Sequence, residues 1–193
     1  MRRNLLATVA VAFLLAAQSA NAQGLPGTSK ASDRAAWNAL LRIPASCQHD
    51  WNATAGAGGS SGIVSEPTAT VGLRLVSVTC FYGAYQGVTV FYLVDASRKV
   101  TGPIRLSIHV DPGSGKPTLG HSTPRMAVES FVPKTGVLTI FDKARGPGDC
   151  GIFSTFKLTG THFVPVSARA KRACDGKPPF DPGKWPKLPT PAA

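Results

Sequence analysis

Four cysteines, Cys47, Cys80, Cys150 and Cys174, constrain this chain more than any other feature. In an oxidising compartment such a set becomes staples, and in a reducing one it becomes thiols or metal ligands, so the compartment has to be read first. Arg2 and Arg3, an apolar stretch over residues 5–17 and the small-x-small triplet Ala20-Asn21-Ala22 form a secretory signal over residues 1–22. The apolar stretch is shorter than the roughly 20 residues that cross a bilayer, and no later one is longer. Cys47 is the first cysteine and lies far beyond the cleavage point, so lipid attachment is not expected. A periplasmic or secreted protein that does not span the membrane follows. Export makes the cysteines disulfides, and the shortest loops pair Cys47 with Cys80 and Cys150 with Cys174. Each bridge is then worth roughly 3.5 kcal/mol by chain entropy.

Oxidised sulfurs do no chemistry. Cys47-Gln48-His49-Asp50 lists a nucleophile, a base and an acid in a row. Members of a catalytic triad come from separated segments that converge, which neighbours rarely do. The histidines, His49, His109, His121 and His162, are singletons without a ligand-like spacing, so neither a metal nor another cofactor is expected. No residue is assigned a catalytic role.

The 21 lysines and arginines against 10 acids give a formal net charge of +11. Removing the signal takes only Arg2 and Arg3, so the exported chain stays cationic. Such a balance attracts anionic polymers and acidic proteins. The cations are dispersed, with no run longer than two, which suits solubility first; nucleic acid is not an expected partner. Oligomeric state is left open.

Along the chain, residues 23–30 read as a loose leader. A short helix is predicted over 33–42, with Ser32 as N-cap, Trp37, Leu40 and Leu41 on one face and Pro44 beyond its end. Residues 52–62 are rich in Ala, Gly, Ser and Thr and read as a loop. The period then becomes two: strands are predicted over 73–80, 88–94, 104–110, 137–141, 152–158 and 163–167, with a turn at 111–115 and another around Thr159-Gly160. Pro165 within a strand pattern implies an edge or a bulge. From residue 177 proline is dense and an extended tail is expected, pinned to the body by Trp185. One mainly β domain over 31–176 results, a small antiparallel sandwich or partial barrel with one N-terminal helix and two disulfides.

The segment from Lys143 to Gly151, KARGPGDCG, looks most like a site. Its glycines permit positive φ, Pro147 biases Gly146 to an extended shape, and Asp149 can accept from nearby N–H groups or face Arg145. A tight turn tied by Cys150 is the preferred reading. An anion cradle with Lys143 or Arg145 supplying charge is the alternative, and catalysis by Asp149 the third. The segment lacks the Gly-Lys-Ser/Thr end of a nucleotide-binding loop.

The residues Gly146-Pro-Gly-Asp-Cys-Gly151, Phe153, Phe156, Phe163, Cys174-Asp175-Gly176 and Trp185-Pro186, together with Cys80-Phe-Tyr-Gly-Ala-Tyr-Gln86 upstream, resemble the bacterial secreted family called domain of unknown function 1176. The resemblance covers roughly residues 37–186 and is to the C-terminal part of a longer family pattern. It implies secretion and disulfides and supplies no activity. The sequence departs from the pattern in lacking the extra N-terminal portion and cysteines, in carrying Phe for Trp, Thr159 for Asp and Gln86 for Asn.

The function expected is a non-enzymatic envelope module that binds an anionic polymer or a protein. Tyr82, Tyr85, Gln86, Lys143, Arg145 and Asp149 are its candidate contacts. A secreted inhibitor of a hydrolase such as lysozyme is the alternative, and an envelope hydrolase built on converging histidines the third.

Overall fold

The structure, a computed structural model, describes residues 24–54, 59–110, 117–122 and 125–190. The predicted signal at 1–22 and the predicted turn at 111–115 lie outside the described residues. None of the described helices is long and apolar enough to cross a membrane.

Two helices precede the strands, where one was predicted: α1 (Asp33–Leu41) and α2 (Ala45–Thr54). Pro44 ends the first and starts the second, since its carbonyl accepts from Gln48 N at 3.2 Å and its fixed φ suits a helix start. Ser32 does not cap α1. Its backbone is already helical, and the Asp33 carboxylate instead accepts from Lys30 N at 2.9 Å. Trp37 and Leu41 are buried as predicted, and Leu40 packs partly against the same core. Arg34 is buried beside them. Its guanidinium lies 4.0 Å from the Trp51 ring centre and donates to Ser61 O at 3.0 Å, and burial lowers its pKa to about 10.

Eleven strands follow among the described residues: β1 (Ile63–Pro67), β2 (Leu73–Tyr82), β3 (Gly87–Asp95), β4 (Val100–Thr101), β5 (Leu106–Val110), β6 (Thr118–Ser122), β7 (Arg125–Val132), β8 (Val137–Lys143), β9 (Gly151–Thr159), β10 (His162–Lys171) and β11 (Lys187–Leu188). All pairings are antiparallel. β5 and β6 form a separate hairpin, and the others form one open ladder in the order β1-β2-β3-β7-β8-β9-β10-β11, with β4 on β3.

That ladder folds over at β7, whose first residues pair with β3 and whose later ones pair with β8. The alternation of side chains decides which faces meet. Val76, Val78, Val88, Val90, Tyr92 and Val94 point out of the β1–β3 half and pack with Trp37, Leu41, Ile43 and Cys47 from the helices. Leu75, Phe91 and Leu93 point the other way and meet Leu138, Ile140, Phe156 and Phe163 of the β8–β10 half, with Ile104, Leu106 and Ile108 filling the side. The result is a sandwich with helices on one outer face, not a barrel. β3 is covered on both sides, which is why its apolar run is unbroken where β9 alternates.

Pro165 sits where the β9–β10 register slips, so it marks a bulge, and the following Val166 is exposed. The segment after residue 177 is more structured than the extended tail predicted: residues Pro182–Lys184 make a 3₁₀ turn and β11 pairs with Ala168 and Arg169. Trp185 is buried, donates Nε1–H to Pro179 O at 2.8 Å and meets Phe141 edge-on.

Candidate functional site

The disulfides are Cys47–Cys80 and Cys150–Cys174. With Cys47 bonded, it is no nucleophile, and its neighbours His49 and Asp50 make a contact of 3.3 Å on the surface. Of the other histidines, His109 and His121 lie on the β5–β6 hairpin, and His162 lies on β10. His109 is buried on β5, which lowers its pKa; His121 on β6 has Nδ1 3.2 Å from Ser107 Oγ; His162 is exposed at the start of β10.

The two segments singled out in the sequence meet. The β2–β3 hairpin turn closes with Gly83 N donating to Gln86 O at 2.9 Å, and its far side lies on the segment between β8 and β9. Gln86 is buried and its side-chain amide behaves as a short piece of strand. Oε1 accepts from Lys143 N at 3.1 Å, while Nε2 donates to Lys143 O at 3.4 Å and to Asp142 Oδ1 at 3.5 Å. Tyr85 Oη donates to Ala144 O at 3.3 Å. The rings of Tyr82 and Tyr85 remain 55% and 42% exposed, so this contact leaves aromatic surface facing solvent.

The turn itself is built by its charges. Gly148, at φ 71°, donates to Arg145 O at 3.0 Å, and Ala144 N donates to Cys150 O. Arg145 holds Asp149 with two hydrogen bonds, of 2.8 and 2.6 Å, and Gly176 N donates to the same carboxylate at 2.9 Å. These bonds, Arg145 first, hold Asp149 well below the usual carboxylate range and raise the Arg145 pKa in return. Asp149 is buried, and this arrangement meets its needs from both sides of the Cys150–Cys174 bridge. Arg145 is therefore spent within the loop and does not offer a free charge to an anion.

Other cations lie close by. A groove of about 290 Å³ runs along the ends of β8, β9 and β10, lined by Asp142, Ala144, Gly151, Ile152, Lys171 and Arg172. Lys171 is 3.2 Å from Asp175, whose pKa is lowered mainly by the Lys177 N–H and then by Lys171. Lys171 Nζ also lies 5.8 Å from the exposed Phe180 ring. Lys143 and Arg172 form no ion pair among the described residues. Of the candidate contacts predicted, Tyr85, Gln86, Lys143, Arg145 and Asp149 come together here, and Tyr82 lies at the base of the hairpin turn, its ring over Gly87. Lys171, Arg172 and Phe180 went unnoticed in the sequence. The adjacent pair Lys171-Arg172 at the end of the last long strand was the available signal.

A family model described as Protein of unknown function (DUF1176) matches residues 21–192, nearly the whole chain. No curated protein and no solved structure matches it.

Proposed function

The chain belongs to the family described as Protein of unknown function (DUF1176), whose description names no activity, and we propose an exported, non-enzymatic docking module that holds an anionic envelope polymer on the face where the β2–β3 hairpin meets the 143–151 turn. One observation carries the reading: side-chain bonds lock two distant loops together and a disulfide holds the second of them, while leaving Tyr85 exposed beside the turn that carries Lys143. Rigid loops that expose aromatic rings and unpaired cations present a surface that needs no reordering to bind. A sugar ring stacks on tyrosine, and a carboxylate or sulfate on that sugar accepts the two-pronged donation of arginine. The excess of cations that remains once Arg2 and Arg3 leave with the signal adds attraction over about 8 Å at physiological ionic strength. Two disulfides suit an oxidising compartment, which is where such polymers lie.

The test is chromatography of the purified protein on immobilised polyuronate, sulfated dextran and neutral dextran. Retention on the charged resins at low salt, released by salt and absent on neutral dextran, is the expected outcome. Flow-through on all three resins at low ionic strength ends the proposal.

A further inference from the structure

The sandwich is open on the side away from β5. Thr89 Oγ1 of β3 donates to Glu129 Oε1 of β7 at 2.8 Å, joining the two halves, and beyond this bond they part around a cleft of about 280 Å³. Leu75 and Phe91 of one half and Phe131 and Leu138 of the other line it. Glu66 of β1 stands opposite Leu75 in the ladder, and Glu129 stands opposite Ile140, so register aims each carboxylate toward the space between the halves. The cleft is the unfilled end of the second core, with one acid contributed by each wall.

Two of the chain's ten acids thus share one cleft, in which Val64 and Phe131 stand beside Ser77 and Ser130, in a protein with 21 cations. The cavity's chemistry narrows its occupant. An anion is repelled. A hard divalent ion wants six or more oxygens, and among the described residues no set of three His, Cys, Asp or Glu converges anywhere. A wholly apolar molecule would strip water from two carboxylates without replacing it. The volume lies below the range of drug-sized pockets, roughly 300–1,000 Å³. What remains is a slender aliphatic stem that ends in a cation, whose stem lies on Val64 and Phe131 and whose head meets carboxylate oxygens.

We propose that the cleft between Glu66 and Glu129 is a binding site for a primary ammonium on an aliphatic stem, of the size and chemistry of a lysyl side chain presented by a peptide. Glu66 and Glu129 take the ammonium between them, and Val64 and Phe131 take the stem. The site is separate from the docking face and does not rest on that proposal.

The probe is N-α-acetyl-lysine methylamide, titrated into the full chain and followed by calorimetry and by amide NMR shifts. Its N-ε-acetyl counterpart, which keeps the stem and loses the charge, is the control. Saturable binding is expected, with shifts confined to residues around Glu66, Ser77, Phe91 and Phe131 and little response to the control. Glu66→Gln and Glu129→Gln should each weaken binding about tenfold or more, as loss of a charge-assisted hydrogen bond implies. Glu66 is only half-buried at a sheet edge, so its variant tests the site without threatening the fold. The proposal fails if the lysine probe shows no saturable binding at millimolar concentration, if the acetylated control binds as well, or if Glu66→Gln binds the probe unchanged. Binding of calcium at these residues in place of the probe overturns it too.

Discussion

Gln86 and Lys143 are 57 positions apart and are joined as two strands would be, the Gln86 side-chain amide accepting from Lys143 N at 3.1 Å and donating to Lys143 O at 3.4 Å. A side chain here does what backbone does elsewhere. The hairpin turn does not extend the β8 ladder, yet it sets the position of the turn that follows β8.

Gln86→Ala should therefore cost about 1–3 kcal/mol, because it leaves a buried N–H and carbonyl of Lys143 without their partners. Chemical denaturation with unchanged m-value would measure it. Retention on polyuronate should fall as well, since Tyr85 loses its anchor, whereas a purely structural Gln86 would leave retention at a temperature well below unfolding intact.

Gly151 tests the turn's backbone. It holds φ at 144°, and a Cβ there would lie 2.2 Å from Asp142 O. Gly151→Ala should destabilise by several kcal/mol, roughly the sum of a strained φ and a clash that only backbone movement relieves. Gly160, at φ 59° with open space around it, should lose only about 1 kcal/mol on the same change. A pair of melting curves distinguishes the two.

Two carboxylates respond to acid in opposite ways. Asp149 is held below its unfolded value, so its contribution is fully present above about pH 4 and is lost as pH falls toward its folded pKa. Asp149→Asn should be destabilised at pH 7, and the gap to the parent should close in strong acid. Glu129 is raised, mainly by burial, with Thr89 donating against that trend and Glu66 the other acid in its cleft. Its ionisation opposes folding above its unfolded pKa of about 4.3, so Glu129→Gln should be more stable than the parent at pH 7 and equal to it below pH 4. Melting temperatures across pH 2–8 check both signs.

The bridges differ in access. Cys174 is exposed and its partner Cys150 buried, while Cys47 and Cys80 are both buried. A thiolate can reach Cys174 in the folded protein, with Cys150 as the leaving sulfur, and neither sulfur of the other pair. Brief treatment with dithiothreitol under native conditions followed by alkylation should label Cys150 and Cys174 alone. Removing Cys47 and Cys80 together should lower stability by about 3–4 kcal/mol, the entropy of a loop spanning 33 positions.

On the docking face, Arg172→Ala and Lys143→Ala should each shift elution from polyuronate to lower salt without changing the melting temperature appreciably, because neither is in an ion pair. Arg98→Ala, a cation on the β3–β4 turn, should leave elution nearly where it was.

The strands legible in the sequence were those whose neighbours impose a simple pattern. β5, with Leu106 and Ile108 inward, and β9, alternating from Ile152, bury one face each and read clearly. β7 did not: it passes from one half of the sandwich to the other, pairing first with β3 and then with β8, so its surroundings change partway along. α2 was hidden because its buried apolar residues Cys47 and Trp51, one turn apart, set no longer stripe among residues 45–53. The cysteine pairing followed from loop length, and Pro165 announced its bulge. The contact of Gln86 with Lys143 had no local signature, since nothing near either residue encodes a partner so far along the chain. The Glu66–Glu129 cleft was illegible for the same reason, its two carboxylates coming from β1 and β7, strands that the sequence pattern did not reveal.

The short pairing of Lys187 and Leu188 with β10 has a protective result. Open ladders recruit strands from other molecules, and this chain caps one rim with its own residues 187–188, fastened by the Trp185 indole rather than by length. Clipping the polypeptide just before that indole would leave β10 bare, and self-association would then be limited chiefly by the kink at Pro165 and mutual repulsion among cationic copies.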